Sequence, residues 1–284
     1  MARGISVHVG LNAVDPNHYD GWDGALTACE FDANAMEGIA QSRGFETTKL
    51  LTNDATAEAV TSAIESAANE LEPGDFFFQT YSGHGGQVPD RNDEGEKDRS
   101  DETWVLYDRQ LVDDELYALW AKFKPGVRIF LLSDSCHSGT VAKDIEDEES
   151  VPDVVSTAEE AAKQSPRYRA LPRDKMIATY LQHVALYDRI QEEAPSSTAS
   201  ASEVGARVLL ISGCQDDQLS LDGFANGRFT EELLKVWNDG AWTGAYPNFH
   251  EAIRSGMPDS QQPNYYPVGT PNEDFEQQDP LTIG

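Results

Sequence analysis

Basic residues are scarce in this 284-residue sequence. Only 21 Lys and Arg stand against 50 Asp and Glu, which gives a formal net charge of −29. Contact with a nucleic-acid backbone needs clustered lysine and arginine, and an anionic membrane surface repels acid, so neither is expected as a partner. A solvated acidic surface, a saline habitat, and sites for cations or basic substrates all remain open explanations for the acid.

Cysteine and long apolar runs are also scarce. The three cysteines, Cys29, Cys136 and Cys214, are odd in number and far apart, which argues against a disulfide framework. No run approaches the ~18 apolar residues of a membrane-spanning helix. The first residues alternate like a strand and lack the apolar core of a signal peptide. We therefore expect a cytoplasmic protein with reduced cysteines, and no Cys-x-x-Cys or paired-histidine spacing indicates zinc.

What the sequence does contain is an alternation of strand and helix patterns. Hydrophobic residues make up 39% of the chain, enough to form the core of one large domain or two small ones. Apolar runs and alternation predict strands at 4–10, 46–51, 76–81, 104–107, 127–132 and 208–212. Helical spacing of apolar residues predicts helices at 27–43, 56–71, 113–123 and 230–237. This order favours an α/β fold with a mostly parallel sheet.

Local composition and apolar patterning divide the chain into three parts. Residues 1–140 carry the regular strand and helix alternation. Residues 141–206 are an insertion or linker that contains an acidic run, several arginines and one amphipathic stretch at 176–190, for which we predict a helix. Residues 207–284 supply the last strand and helix and a Pro-rich tail from Met257.

Two of the predicted strands run into reactive side chains. The strand at 76–81 leads into Ser82-Gly83-His84-Gly85-Gly86, and the strand at 127–132 leads into a segment that contains Cys136. Ligands bind beyond the carboxyl ends of parallel strands. A cysteine nucleophile needs a base such as histidine, and neighbouring glycines leave N–H groups free to stabilise an oxyanion. Cys136 follows His84 by 52 residues, close to the spacing of about 50 in caspase-type proteases.

These segments resemble the signatures of caspase-fold cysteine peptidases, specifically the metacaspase-like or prokaryotic caspase-homologue branch in the clan of caspases, metacaspases and legumain. The matching segments are residues 28–33, 81–85, 134–139, 211–218 and 227–230. The resemblance covers about residues 5–237 and leaves the insertion and the tail unexplained. It implies a three-layer caspase-like sandwich with a mostly parallel central sheet.

The resemblance also implies catalytic roles. Cys136 would attack the scissile carbonyl, and His84 would assist its ionisation and protonate the leaving amine. The N–H groups of Gly85 and Cys136 would form the oxyanion hole. No third catalytic residue and no cofactor would be required. His137 is a competing candidate for the base, although adjacent side chains in a strand-to-helix turn usually point apart.

Charge predicts the preferred substrate. Asp32 matches the pocket acid of the family, Asp134 lies two residues before Cys136, and Ser82 lies beside His84. Two carboxylates in one pocket favour a cationic side chain, and the planar fork of arginine pairs with both. We therefore expect cleavage of proteins or peptides after arginine, and also after lysine. The alternative for Asp32 is a first-turn helix acid, and Cys29 and Cys214 are expected to be small core residues.

Calcium is a further expectation from the resemblance, because many metacaspases bind activating calcium through aspartates. The candidate ligands are Asp98 or Asp101, Asp113, Asp114 and Asp144. Lys143 stands where the family often has its last ligand, and basic residues interrupt the loop at 90–102. A solvated charged loop is the alternative that we favour.

The linker contains arginines that suit the same chemistry. Arg167, Arg169 and Arg173 look exposed, and we expect cleavage beside them, either by the enzyme itself or by an activating protease. The helix at 176–190 would cover the active site until then, or simply pack against the body. Two further alternatives remain: a catalytically silent caspase-fold adaptor or acidic cation-binding module, and a relative from the same clan with Asn or Asp specificity.

Overall fold

A computed structural model describes residues 2–91, 100–135, 167–193, 203–215, 218–223 and 225–284. Its strands are β1 (Gly4–Gly10), β2 (Glu46–Leu51), β3 (Phe76–Ser82), β4 (Gly85–Pro89), β5 (Ser100–Val105), β6 (Gln110–Val112), β7 (Arg128–Asp134), β8 (Arg207–Ser212) and β9 (Asn264–Gly269). Its helices are α1 (Cys29–Ser42), α2 (Ala57–Glu70), α3 (Asp113–Ala121), α4 (Arg173–Gln182), α5 (Val184–Glu193), α6 (Arg228–Trp237), α7 (Tyr246–Ser255) and α8 (Glu273–Gln277).

The central sheet has six strands in the order β2-β1-β3-β7-β8-β9. The first five are parallel and β9 joins the edge antiparallel. Strand β8 pairs directly with β7, so the chain on both sides of the linker contributes to one sheet. Parallel strands end at the same edge, which collects the residues that follow β1, β3, β7 and β8.

Two hydrophobic cores cover the two faces of this sheet. Alternate residues of β3 point to opposite faces, so Phe77 and Tyr81 pack with α2 and α3, whereas Phe76 and Phe78 pack with α1, α6 and α7. The three strands β1, β3 and β7 are therefore almost entirely buried, as expected for parallel strands covered on both sides. This arrangement of helix, sheet and helix confirms the predicted α/β sandwich with a mostly parallel sheet.

A small antiparallel sheet, ordered β4-β5-β6, lies beside the central one. The sequence predicts only a short strand at 104–107 in this region, whereas β5 covers Ser100–Val105 and pairs with both neighbours. Only Gly83 and His84 separate the end of β3 at Ser82 from the start of β4 at Gly85. The turn between the two sheets therefore carries His84.

The linker and the tail differ from prediction. The helix expected at 176–190 is two helices, α4 and α5, which separate at His183. The ring of His183 stacks on His18 at 4.0 Å, and Tyr180 and Tyr187 pack against Val88 of the small sheet. The tail expected from Met257 contains β9 and α8. Apolar spacing continues across the α4–α5 break, so the pattern alone does not reveal it.

Cys29 and Cys214 are buried and are not joined in a disulfide, and Cys136 lies outside the described residues. In the part of the chain that the structure describes, no helix is long and apolar enough to cross a membrane.

Candidate active site

The carboxyl edge of the central sheet brings the predicted pocket residues together. Ser82, the last residue of β3, lies in register opposite Asp134, the last residue of β7. Asp32 reaches the same place from the first turn of α1. The Ser82 hydroxyl donates to Asp32 Oδ2 at 2.8 Å. Residues from three separate elements thus meet where ligands bind in parallel sheets.

Arg169 fills the space between these side chains. Its Nη2 lies 2.7 Å from Asp32 Oδ2 and 3.2 Å from Asp222 Oδ1, and its Nη1 lies 2.7 Å from Asp134 Oδ2. Nη1 also donates to the Ser82 hydroxyl at 2.9 Å. The Arg169 side chain is 0% exposed, so the expectation of an exposed linker arginine is wrong at this position. The carboxylates offset the loss of hydration that burial imposes on the guanidinium.

In this pocket, burial favours the protonated form of the Asp134 carboxyl. Burial raises its pKa above the ordinary value, and the charge of Arg169 lowers it only in part. The hydroxyls of Ser220 and Thr230 donate to its two oxygens at 2.5 Å and 3.2 Å. Burial also acts to lower the pKa of Arg169, but the surrounding negative charge, led by Asp134, raises it well above the ordinary value. The guanidinium is therefore always charged here.

Asp222 is a third pocket carboxylate, and it is not among the residues predicted from the sequence. Besides contacting Arg169, its side chain accepts hydrogen bonds from the N–H groups of Thr27 and Ala28 at 2.8 Å and 3.1 Å, directly before α1. Its own N–H donates to the carbonyl of Arg167 at 2.9 Å. The signal that could have revealed it is an aspartate in the segment after β8, because β8 ends at the same edge of the sheet.

Gly227 provides the room for the guanidinium. A Cβ atom at this position would lie 2.4 Å from Nη2 and 2.6 Å from Cζ of Arg169. The Gly227 N–H donates to Asp32 Oδ1 at 3.0 Å. Asn226 Nδ2 donates to the same oxygen at 2.9 Å. Residues 226 and 227 therefore fix the orientation of Asp32 while leaving space beside it.

The backbone around Arg169 lies between two strand-like partners. On one side, the Arg169 N–H donates to the Ser220 carbonyl at 3.0 Å, and Tyr168 forms an antiparallel bridge with Leu221. On the other side, the Gly85 N–H donates to the Arg169 carbonyl at 2.9 Å. The carbonyl of Arg169 is thus bound by one of the two N–H groups predicted to form the oxyanion hole.

His84 lies beside this carbonyl with one ring nitrogen engaged. Its Nε2–H donates to the Gly24 carbonyl at 2.9 Å, which leaves Nδ1 as the unprotonated nitrogen of the neutral ring. Nδ1 is buried and makes no hydrogen bond within the described residues. The ring of Trp22 lies 4.7 Å away. Burial lowers the pKa of His84 to about 4, although the backbone of Gly24 acts to raise it, so the imidazole is neutral near pH 7.

The predicted nucleophile Cys136 and its neighbour His137 lie outside the described residues. Cys136 directly follows Ser135, which is fully buried at the end of β7. Cys214 Sγ donates to the Ser135 carbonyl at 3.3 Å, which fixes the last described residue before the predicted nucleophile. Ser135 lies at the same edge of the sheet as His84.

The other two predicted processing residues differ from Arg169. Arg167 and Arg173 are exposed. Arg167 Nη1 donates to the Thr27 hydroxyl at 3.1 Å, whereas Arg173 begins α4. Of these three arginines, only Arg169 enters the pocket.

The predicted calcium ligands are only partly within the described residues. Asp113 and Asp114 open α3, and Asp114 is buried. Asp98 and Asp144 lie outside the described residues. Among the described residues, no group of three or more His, Cys, Asp or Glu side chains is arranged to hold a metal ion. Calcium stays a prediction, and no chemical step is assigned to it.

Comparisons with known proteins agree with this fold and edge geometry. Residues 13–275 match the family model described as Caspase domain. Metacaspase-1 of Mycosarcoma maydis is 30% identical in an alignment that covers 78% of this chain and 60% of that protein. Metacaspase-1A of Aspergillus clavatus is 31% identical in an alignment that covers 75% of this chain and 54% of that protein. The chain thus spans a little over half the length of these two relatives.

Two solved structures are similar to this chain. The crystal structure of protein GSU0716 from Geobacter sulfurreducens is 48% identical, with a TM-score of 0.85 over 99% of both chains. Caspase-1 from Spodoptera frugiperda is 10% identical and has a TM-score of 0.51 over 94% of this chain and 88% of that one, a likeness of fold alone. The family match covers most of the chain, so this protein belongs to the caspase-domain family, as a metacaspase-like member.

Proposed function

We propose that this protein is a cysteine endopeptidase that cleaves after arginine through Cys136 and His84. The observation that carries the proposal is the way Arg169 is bound. Its side chain lies among three carboxylates, its carbonyl accepts from Gly85, and the free nitrogen of His84 lies on the same edge. This is the arrangement expected of a substrate arginine before the bond that follows it is cut.

The reaction would start with a proton transfer. Neutral His84 accepts the thiol proton of Cys136 at Nδ1, because Nε2 already donates to Gly24. The thiolate attacks the carbonyl carbon, and the Gly85 N–H stabilises the resulting oxyanion. The protonated His84 then gives its proton to the leaving nitrogen, which releases an amine and leaves an acyl thioester on Cys136. Water hydrolyses the thioester, and the thiol is restored.

The pocket favours arginine over the other candidate side chains. Nη1 and Nη2 of Arg169 pair with different carboxylates, a geometry that the planar guanidinium matches and the single ammonium of lysine does not. A substrate aspartate would meet Asp32, Asp134 and Asp222 as like charges. The alternative of an Asp-specific relative is therefore the least compatible with these side chains.

The Arg169–Ala170 bond is proposed as the first substrate. While Arg169 occupies the pocket, no other arginine can enter, so the chain acts as a zymogen. Hydrogen bonds to Ser220 and Gly85 hold the N–H and the carbonyl of Arg169, so the bond is not free to enter the active site of a second protease while the segment stays in place. This favours cleavage by the enzyme itself at Arg169, whereas a separate activating protease would find Arg167 and Arg173 exposed.

Intact-mass analysis of the purified chain tests the proposed cleavage at Arg169–Ala170. We expect wild type to be cut between Arg169 and Ala170, and Cys136→Ala to remain whole. Arg169→Gln should block the cut, whereas the matched control Arg173→Gln, an exposed arginine four residues further along the chain, should not. An uncut chain with full activity would contradict the maturation step.

Substrate preference is tested with fluorogenic peptides that carry Arg, Lys, Asp or Asn before the cleaved bond. We expect the Arg peptide to be cleaved fastest and the Lys peptide more slowly. Running the panel with and without calcium tests the calcium prediction separately. Failure to turn over the Arg peptide even after linker cleavage would contradict the proposed function. A cytoplasmic location and protein or peptide partners with basic residues are part of the same proposal.

A further inference from the structure

The segment that carries Arg169 stays in register beyond the Arg169–Ala170 bond. The Gly85 N–H donates to the Arg169 carbonyl at 2.9 Å, and the Gly85 carbonyl accepts from the Leu171 N–H at 2.8 Å. A parallel bridge between Gly85 and Ala170 joins these two contacts. One residue of β4 therefore holds the chain on both sides of the bond that the proposed reaction breaks.

The side chain of Leu171 is inserted into an apolar pocket and is 1% exposed. We name this the Leu171 pocket, and it consists of Val14, Tyr19, Trp22 and Val105. The Tyr19 hydroxyl donates to the Leu106 carbonyl at 2.7 Å, so the phenol ring serves as an apolar wall. Gly86 adds room, since a Cβ atom there would lie 3.3 Å from Leu171 Cδ2.

The Leu171 pocket belongs to the catalytic half of the chain. All four of its residues precede β6, in the same part of the sequence as His84. The linker adds one further neighbour, Met176 of α4, which packs against the same cluster. When the linker leaves, the four residues of the pocket stay and can receive the corresponding side chain of another substrate.

We propose that the Leu171 pocket is a specificity subsite for the second residue after the cleaved bond and that it selects a branched aliphatic side chain, leucine above all. The inference rests on the proposed function, because the position is counted from cleavage after Arg169. An aliphatic side chain gains from leaving water, whereas a charged one would lose hydration without an oppositely charged partner among these four residues. Preferred substrates then carry an arginine before the bond and a leucine two residues after it.

Trp22 links the Leu171 pocket to the catalytic histidine. Its ring lies 4.7 Å from the ring of His84, with an interplanar angle of 58°, and packs against the cluster around Leu171. A filled pocket therefore supports the imidazole from one side while Gly24 holds its Nε2–H. We expect an empty pocket to lower kcat as well as to raise KM.

Peptides that differ only at the position of Leu171 provide the test. The enzyme is the full chain carrying Leu171→Ala and left to process to completion, so that the linker's own leucine does not compete for the pocket. We expect kcat/KM for the Leu peptide to exceed that for the Ala peptide about 10- to 100-fold, and that for an Asp peptide by more. Equal values for Leu, Ala and Asp would overturn the proposal.

A variant of the pocket tests its location. Val14→Ala enlarges the pocket, so the Leu-to-Ala ratio of kcat/KM should fall and a Phe peptide should gain relative to the Leu peptide. Each ratio compares two peptides on one preparation and does not depend on the folded fraction. Ratios identical to those of the unaltered pocket would overturn the assignment.

An arginine aminomethylcoumarin amide separates this proposal from the proposed function, because it has no residue after the cleaved bond. Turnover of this amide together with equal rates for all peptides overturns the subsite alone. No turnover of the amide or of any peptide overturns the proposed function, and the subsite with it.

Discussion

Two pockets hold the linker two residues apart, and they do so with opposite chemistry. Around Arg169, three carboxylates and a hydroxyl bind one guanidinium. Around Leu171, four aliphatic or aromatic side chains enclose one leucine. The two side chains are equally buried, at 0% and 1% exposed. The difference between them therefore lies in the origin of the interaction and not in its extent.

This difference predicts two kinds of selectivity. Desolvation of the charges offsets much of the attraction in the arginine pocket, yet removal of one partner leaves buried charge and is strongly unfavourable. In the Leu171 pocket, the free energy of binding follows the apolar area that leaves water. We expect the arginine pocket to accept or reject side chains sharply, and the Leu171 pocket to grade them by size and polarity.

The largest effect is expected when the charge of Arg169 is removed. In an uncleavable Cys136→Ala chain, Arg169→Met leaves the three carboxylates buried without their counter-ion, so the segment should detach. We expect the protection of the Leu171 N–H, which donates to Gly85, against hydrogen exchange to fall about 100- to 1000-fold. Leu171→Ala should lower the same protection about 10- to 100-fold through lost apolar contact.

Arg167→Met is the control for this comparison. Arg167 is exposed and two residues away, so its replacement should change protection by no more than about twofold. The loss in Arg169→Met should shrink as pH falls, because burial raises the pKa of Asp134 and the closed state without Arg169 then binds more protons. The loss in Leu171→Ala should not depend on pH. Equal protection in Arg169→Met and Arg167→Met would refute the charge-based account.

A smaller effect is expected from closing the arginine pocket sterically. Gly227→Ala adds a Cβ atom 2.4 Å from Nη2 of Arg169, so the guanidinium must shift. We expect linker cleavage and kcat/KM for Arg peptides to fall about 10- to 100-fold. The matched control is Gly38→Ala in α1, where a Cβ atom meets nothing within 4 Å and the rates should be unchanged. A variant that cleaves at the wild-type rate would mean that the arginine does not bind beside Gly227.

The parts of the fold that sequence could predict are those whose apolar pattern is strong. Predicted strands at 4–10 and 46–51 coincide with β1 and β2, and the run at 76–81 misses only the last residue of β3. In contrast, β4 and β9 each contain glycine and proline, which are unfavourable in the interior of a strand. They form because neighbouring strands supply hydrogen-bond partners, which no local pattern records. Helix α7 had a detectable pattern, since Tyr246, Phe249 and Ile253 share one face.

The candidate site divides in the same way. Asp32, Ser82 and Asp134 could be assigned because each lies inside a recognisable local motif. Arg169 could not be placed, since its contact with Asp32 spans 137 positions of the chain. For Asp222, the only signal in the sequence is its position in the segment after β8. The composition of the linker predicts exposed side chains for Arg167, Arg169 and Arg173. Only the folded chain shows that one of them is compensated by buried carboxylates, and that Leu171 follows it into an apolar pocket.

Lowering the pH should weaken selectivity in the arginine pocket but not in the Leu171 pocket, and this is the smallest of the expected effects. Burial raises the pKa of Asp134, so this carboxyl is neutralised at a higher pH than an ordinary aspartate and arginine binding then weakens. In the Leu171 pocket, burial raises the pKa of Tyr19 well above its ordinary value, so its phenol stays neutral throughout this range. We expect the kcat/KM ratio of an Arg peptide to its neutral citrulline analogue to fall as pH is lowered from about 7 towards 4, by at most about tenfold per pH unit for one carboxyl.

The Leu-to-Ala ratio at the second position after the bond should stay constant over the same range. Protonation of His84, the proposed base, should lower activity for every peptide alike, but a ratio of two peptides cancels this shared loss. Asp134→Asn is the control, because it fixes the neutral state and should make the Arg-to-citrulline ratio low and independent of pH. If both ratios fell together, the two pockets would respond as one charged unit, and the distinction between a charge-selective and an area-selective site would be lost.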